Sequence, residues 1–317
     1  MPRSRPRRDR CTRSALFCRT RKQFPIQLPL NLLANFQRRR YLNVMSIALE
    51  DNFADVIGKA QRGLRISDSE LARDTGATLG QIRSARDGDF EESTLRAIAP
   101  VLALDPGSLV DLAQKKWRPE EIELDGLAQF STRYGDMLVN AYLVWNPETR
   151  GAVAFDTGAD CSEMLRFATK NKLAVKMILL THAHPDHVAD LPRLREETGA
   201  HVFAPERESV PGAESIKEGK HFQLGHLDIE ARLTWGHSPG GMTFVVNGLP
   251  RPVAIVGDAL FAGSMGGGNV SYPDALRNNL EKILTLPNDT VVCPGHGPMT
   301  TVDDEKTHNP FFAGKVP

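Results

Sequence analysis

The chain has 317 residues, 41% hydrophobic and 25% charged, which suits a large globular domain with a smaller one beside it. No run approaches the roughly 18 continuous apolar residues of a membrane helix. Four scattered cysteines (Cys11, Cys18, Cys161, Cys293), none in a CxxC pair, argue against a disulfide framework and fit reduced thiols in a cytoplasmic protein. Zero net charge hides an asymmetry: residues 1–44 hold twelve Lys/Arg against one acid, Asp9, leaving 27 basic and 38 acidic residues on the remainder. An acidic body argues against an extended nucleic-acid surface and against a membrane partner.

The basic head, residues 1–44, has three readings: a targeting peptide, a nucleic-acid-binding arm, or a disordered extension ahead of a start at Met45. Pro2, Pro6, Pro25 and Pro29 interrupt any amphipathic helix, and periodic apolar content is low, which favours the extension.

Residues 45–118 read as a small all-α domain. Apolar residues recur at helical spacing over Ile47–Ile57. Ser67-Asp-Ser-Glu70 and Thr78-Leu-Gly-Gln81 are capping boxes, each opening a short helix closed by Gly76 and Gly88. Ser93 is placed to cap the next helix, and Asp105-Pro106 reads as an N-cap followed by proline in the first turn. The stretch Glu70-Leu-Ala-Arg-Asp-Thr-Gly-Ala-Thr-Leu-Gly-Gln-Ile-Arg83 resembles the core of repressor-type helix-turn-helix domains. That resemblance implies DNA contacts from Gln81, Arg83 and Arg86. Residues 46–118 carry ten basic and twelve acidic residues, little charge for phosphate contact. The other reading is a helical module for homodimerisation, docking or substrate coverage.

Trp117-Arg-Pro119 marks a linker, and residues 119–317 read as an α/β domain. Met137–Trp145 and Gly151–Phe155 are predicted strands joined at Asn146-Pro147. Cys161–Lys172 is a predicted helix, Val175–Leu180 a buried strand and Val188–Thr198 a helix. Further strands are expected at His201–Ala204, Leu227–Trp235, Met242–Val246, Val253–Val256 and Thr290–Cys293, with a helix at Pro273–Leu284. Two batches of alternating elements suit two sheets flanked by helices.

Directly after the predicted strand at 175–180 stands Thr181-His-Ala-His-Pro-Asp-His187. Three histidines and an aspartate within six positions contribute nothing to a fold by crowding together, but they are metal-ligand types. His237 (Gly236-His-Ser-Pro-Gly-Gly241), Asp258 (after Val253–Gly257) and His296 (Pro294-Gly-His-Gly-Pro298) also follow predicted strands, in tight Gly/Pro loops.

In this order the seven residues resemble the ligand signature of the metallo-β-lactamase superfamily, with Phe155-Asp-Thr-Gly158 matching its early strand-turn motif. The resemblance implies an αββα sandwich over roughly 125–313. It implies that His182, His184 and His237 hold one metal, that Asp186, His187 and His296 hold another, and that Asp258 bridges them. Asp156 would be supporting or structural rather than a ligand, and Thr181 would support the loop. Two divalent ions are implied, zinc first, with iron or manganese as alternatives. They would share a hydroxide nucleophile, with Asp186 as the catalytic residue that orients it and takes up its proton. His201, His221, His226 and His308 match no motif position and read as structural.

Gly257-Asp-Ala-Leu-Phe-Ala-Gly263, Pro294-Gly-His-Gly-Pro298 and Glu305-Lys-Thr-His-Asn-Pro-Phe-Phe312 resemble the glyoxalase II-like (hydroxyacylglutathione hydrolase) branch. The resemblance implies hydrolysis of a small-molecule thioester or ester. The chain stops soon after Phe312, where classical glyoxalase II continues into a helical domain. The suspected substrate loop, Ser264 to Tyr272, reads Gly-Gly-Asn where many relatives have Arg-Thr-Asp. Two alternatives stand beside the hydrolase: a mononuclear iron persulfide dioxygenase, and a DNA-binding regulator with a metal-binding sensor domain.

Overall fold

Alternate residues of the central strands serve two different cores. In the computed structural model, which describes residues 47–315, Val153 and Phe155 of one strand face the second sheet, while Ala152 and Ala154 face helices. The period of two in side-chain direction sorts each strand's residues in this way. The 1–44 extension and the Met45 start lie outside the described residues.

The first sheet has the order β1-β2-β3-β4-β5-β6, from β1 (Leu127–Tyr134), β2 (Met137–Trp145), β3 (Gly151–Phe155), β4 (Ala174–Leu179), β5 (His201–Pro205) and β6 (Glu214–Ile216). The second has the order β12-β11-β10-β9-β8-β7, from β7 (His221–Leu224), β8 (Leu227–Leu233), β9 (Met242–Asn247), β10 (Val253–Gly257), β11 (Val291–Pro294) and β12 (Thr300–Thr301). Tyr142, Val144, Phe155 and Leu179 meet Ile229, Phe244, Ile255 and Val291 between the sheets. The outer face of the first sheet is covered by α6 (Ser162–Lys170) and α8 (Leu191–Thr198), whose Met164, Ala168, Leu191 and Leu194 pack on Leu143, Ile178 and Leu180. The short α7 (Pro185–Val188) precedes α8.

The outer face of the second sheet takes both C-terminal and N-terminal helices. These are α9 (Tyr272–Asn278) and α10 (Val302–His308) with α1 (Phe53–Leu64), α2 (Asp68–Thr75), α3 (Leu79–Asp87), α4 (Glu92–Val101) and α5 (Pro106–Ala113). Val56, Ile57, Ile82, Leu95 and Leu109 share one buried cluster with Val245, Ala254, Val256, Leu260 and Phe312. The helices of this segment pack on one another, and their buried cluster continues into the second sheet's outer face. Burial of apolar surface in this shared cluster stabilises the helices and the sheet layer together.

Local chemistry sets the helix ends. Ser67 with Glu70 and Thr78 with Gln81 form reciprocal capping boxes, and Gly76 and Gly88 end those helices in left-handed geometry. Asp105 caps α5 through Ser108 N at 2.7 Å. Each such cap is worth about 1 kcal/mol.

Some expected boundaries shift. The helix expected over Ile47–Ile57 begins at Phe53, because Asn52 and Asp55 form a further capping box. Ser93 caps nothing: its hydroxyl donates to Glu91, the residue at the N-cap position. The helix expected over Val188–Thr198 is two pieces, with Asp190 at the N-cap position and Pro192 in the first turn of the second. The helix expected over Pro273–Leu284 loosens into a π turn at Asn279–Ile283, where Asn279 Nδ2 donates to Ala259 O and Ala275 O.

Candidate metal centre

The strand ends that carry the candidate ligands converge at one end of the sandwich. β4 delivers His182, His184, Asp186 and His187; the β8–β9 loop delivers His237; β10 delivers Asp258 and β11 delivers His296. All seven come together. His182, His184, His237 and Asp258 form one group and Asp186, His187 and His296 another, with one ligand atom from each residue within 4.8 Å of the others in its group.

The distances suit cations. His182 Nε2 and His237 Nε2 each stand 3.1 Å from His184 Nδ1. Ligand atoms on a tetrahedron about 2.0–2.1 Å from its centre are roughly 3.3 Å apart. Asp258 faces both groups: Oδ2 lies 3.4 Å from His237 Nε2 and 3.5 Å from His296 Nε2, and Oδ1 lies 3.3 Å from His187 Nε2. Asp186 Oδ2 is 3.3 Å from His296 Nε2 and 3.6 Å from His187 Nε2. His187 Nε2 and Asp258 Oδ1 are buried without a hydrogen-bond partner, although buried polar atoms are normally satisfied. A cation between them would satisfy both, so the residues present fit a bound metal ion.

Four histidines are aimed by the hydrogen on Nδ1. His296 Nδ1 donates to Leu138 O (2.6 Å) and His237 Nδ1 to Gly267 O (3.1 Å). His187 Nδ1 donates to Asp156 Oδ2 (2.8 Å). Thr181 Oγ1 donates to Asp156 Oδ2 (2.7 Å) and so accepts from His182 Nδ1 at 3.0 Å. Each bond makes Nδ1 the donor and turns Nε2 toward the site. Asp156, expected to support rather than to bind, touches one histidine of each group, directly or through Thr181.

The electrostatics are those of a site built for positive charge. Burial pushes the His182 imidazole well below its ordinary value, and burial also lowers His237; both rings stay neutral. Burial acts the same way on His187 and His296 but is overcome by carboxylates. Asp258 and Asp156 raise His187 to about 10, and Asp186 with Asp258 raises His296 to about 11. Burial works against ionisation of Asp186, but the hydrogen bond from His296 and the charge of His187 hold it below the usual carboxylate range.

Several residues that position the ligands carry no motif. Glu208 accepts from Ala183 N (2.6 Å) and Gly240 N (2.9 Å), tying the His182–His184 loop to the His237 loop. Asn140 Nδ2 donates to Pro294 O and Gly297 O, and Tyr142 Oη donates to Pro294 O, holding the His296 loop from β2. Asn140 did carry a signal: an amide inside an apolar strand needs buried partners. Gly295 has no room for a side chain, since a β-carbon there would lie 2.1 Å from Asp258 Oδ1.

The suspected substrate loop splits in two. Ser264 to Gly266 are buried, Gly266 against Asp258 and His237, and Asn269 and Val270 are exposed. Gln81, Arg83 and Arg86 lie far along the chain from these ligands, in α3. Gln81 completes its capping box and donates to Glu91, while Arg83 and Arg86 pair with Asp68. Among the unmatched histidines, His221 meets Asp228, His226 meets Asn146, His308 stacks on Trp117, and His201 is exposed.

The sequence profile of the metallo-beta-lactamase superfamily matches residues 134–296, which excludes the helices α1–α5. The probable metallo-hydrolase YqgX of Bacillus subtilis is 31% identical over 206 residues, 57% of this chain and 95% of that protein. The hydroxyacylglutathione hydrolase GloC of Haemophilus influenzae is 28% identical over 201 residues, 56% of this chain and 93% of that protein. The crystal structure of the BLEG-1 B3 metallo-beta-lactamase superposes with a TM-score of 0.51 at 29% identity, covering 59% of this chain and 100% of that one.

Proposed function

The chain belongs to the metallo-beta-lactamase superfamily, and from that premise we propose that it is a dinuclear metal-dependent hydrolase of a small-molecule thioester or ester. The observation that carries the proposal is the position of Asp258, whose two oxygens face both ligand groups. His182, His184 and His237 would hold one ion, Asp186, His187 and His296 the other, and Asp258 would reach both. With two carboxylates and no thiolate, the set suits zinc, with iron or manganese as alternatives. When bound, the ions supply Lewis acidity toward a carbonyl oxygen and acidify water.

The protein's own groups have defined parts. Asp186 keeps an ionised carboxylate beside His187 and His296 and is assigned to orient the attacking water and take its proton. The water oxygen bonds to the acyl carbon, the carbon–sulfur or carbon–oxygen bond breaks, and the thiolate or alkoxide leaves. Asp156, Thr181, Gly267 O and Leu138 O keep the histidines from turning during that exchange. The similarity to a hydroxyacylglutathione hydrolase supports a thioester.

The test is a screen of the zinc-loaded full chain against thioesters, lactones, phosphodiesters and persulfides. Turnover of a thioester or ester that ceases in His184→Ala is expected. Oxygen consumption on glutathione persulfide by a protein holding one iron would replace the hydrolase with a dioxygenase.

A further inference from the structure

The loop Gly263–Gly268 lies against His237 and Asp258, yet it contains four glycines and almost no regular structure. A chain this free loses much conformational entropy on ordering, so it needs anchors. Two come from the C-terminal end: Glu305 accepts from Gly263 N, and Asn309 Nδ2 donates to Ser264 O at 2.8 Å. The others come from the N-terminal segment, which lies outside the span matched by the superfamily profile. Lys59 Nζ, on α1, donates to Met265 O at 2.8 Å and to the Asp51 carboxylate. Ser264 Oγ donates to Asp51 Oδ2 at 2.5 Å.

These contacts lie next to the ligands. Two residues beyond Met265, Gly267 O accepts the hydrogen of His237 Nδ1, and a β-carbon on Gly266 would lie 1.8 Å from Asp258 O. The Lys59 ammonium is 5.0 Å from the centre of the Phe261 ring, which stands edge-on to His296 at 5.7 Å. On the other flank, Glu50 packs on Gly297, where a β-carbon would meet Glu50 N at 3.2 Å. Arg118 Nη2 donates to Ile47 O at 2.7 Å and ties the strap down. The Lys59 and Asp51 side chains are only 15% and 9% exposed, so neither is an ordinary surface charge.

We propose that the N-terminal segment is a built-in wall of the metal centre, with Lys59 and Asp51 as positioning residues for His237 and Asp258 through the 263–268 loop. The proposal rests on reading His182, His184, His237 and Asp258 as metal ligands. It assigns the helical segment work at the metal site that neither DNA contact nor dimerisation requires. Removing the Lys59 donor leaves the Met265 carbonyl and the Asp51 carboxylate without it, and the loop gains freedom at the point that fixes the His237 tautomer.

The experiment uses the full chain and four variants: Lys59→Met, Lys59→Arg, the exposed control Lys116→Met, and His184→Ala. Zinc affinity is read at both sites by competition with a chromophoric chelator. The cobalt-substituted visible spectrum reports ligand geometry, and circular dichroism reports folding. Lys59→Met is expected to weaken the His182–His184–His237 site by about 10- to 100-fold and to change its cobalt spectrum. Lys59→Arg, which keeps a donor, should recover most of the loss, and Lys116→Met should match the wild type. Folded Lys59→Met with wild-type affinity and spectrum overturns the proposal. If Lys59→Met does not fold, the isosteric Asp51→Asn is read in the same way: weakened first-site affinity supports the proposal and wild-type affinity overturns it. A wild type that binds no zinc, or His184→Ala binding as the wild type does, condemns the metal reading instead.

Discussion

Replacing Asp156 with asparagine exchanges one carboxylate oxygen for an NH2 group and should disturb both metal sites. Asp156 is buried and accepts three hydrogen bonds: from Thr181 N at 2.7 Å, Thr181 Oγ1 at 2.7 Å and His187 Nδ1 at 2.8 Å. The amide of Asp156→Asn has one oxygen, so its NH2 must face a donor in either orientation. If it replaces Oδ2, it confronts His187 Nδ1 and Thr181 Oγ1; if it replaces Oδ1, it confronts the Thr181 N–H. His187 can escape only by moving its hydrogen to Nε2, which removes the lone pair that faces the site. A hydrogen bond to a charged group is worth about 1.5–3 kcal/mol, so affinity at the His187 site should fall by roughly 10- to 150-fold. The His182 site should weaken less, because its link to Asp156 runs through Thr181. Chelator competition measures both affinities, with circular dichroism to establish folding. Thr181→Val separates the two routes, since it removes the support of His182 but leaves the His187 bond in place. A folded Asp156→Asn protein with wild-type affinity at both sites would refute the view that this carboxylate sets the tautomers.

Three further outcomes follow from the same geometry. His184→Ala removes the nitrogen that lies 3.1 Å from both His182 and His237, and should abolish turnover with loss of metal from that group; retained turnover would sink the ligand assignment. Gly295→Ala places a β-carbon 2.1 Å from Asp258 Oδ1 and 2.7 Å from His187 Cε1, and should lower affinity at the second site, as chelator competition would show. Glu305 is fully buried, and burial raises its pKa from 4.5 to about 8 despite hydrogen bonds from Asn309 and Thr300. The fold therefore prefers the protonated acid, whose contribution is complete below about pH 4.5 and is lost as pH rises through about 8. Urea unfolding should show stability falling by roughly 4–5 kcal/mol across that window from this group, and Glu305→Gln should flatten the dependence; an unchanged slope would contradict it.

The convergence of the seven candidate ligands was legible because their chemistry is uncommon. Histidines and aspartates crowded after a predicted buried strand, or set in Gly/Pro loops, have no packing purpose, and their places in the sequence survive as places in the site. The Ser67 and Thr78 caps were legible because a capping box closes within four residues. The start of α1 was misplaced because apolar spacing begins at Ile47, ahead of the Asn52–Asp55 box that sets the end. β6, β7 and β12 are two to four residues long, too short to show an alternation. Glu208, Asn140 and Lys59 act across separations that leave no local trace: Lys59 meets Met265 across 206 positions. The sharing of one buried cluster by α1–α5 and the second sheet was hidden for the same reason, since amphipathic stripes show that a face is covered but not by what.

Metal content measured alongside turnover on an acyl thioester tests the central claim most directly. The full chain, loaded with zinc and freed of excess metal, should hold two ions and hydrolyse the thioester, with both properties lost together in Asp258→Ala. One iron per chain with oxygen uptake on a persulfide, or thioester hydrolysis that survives removal of the metal, would contradict it.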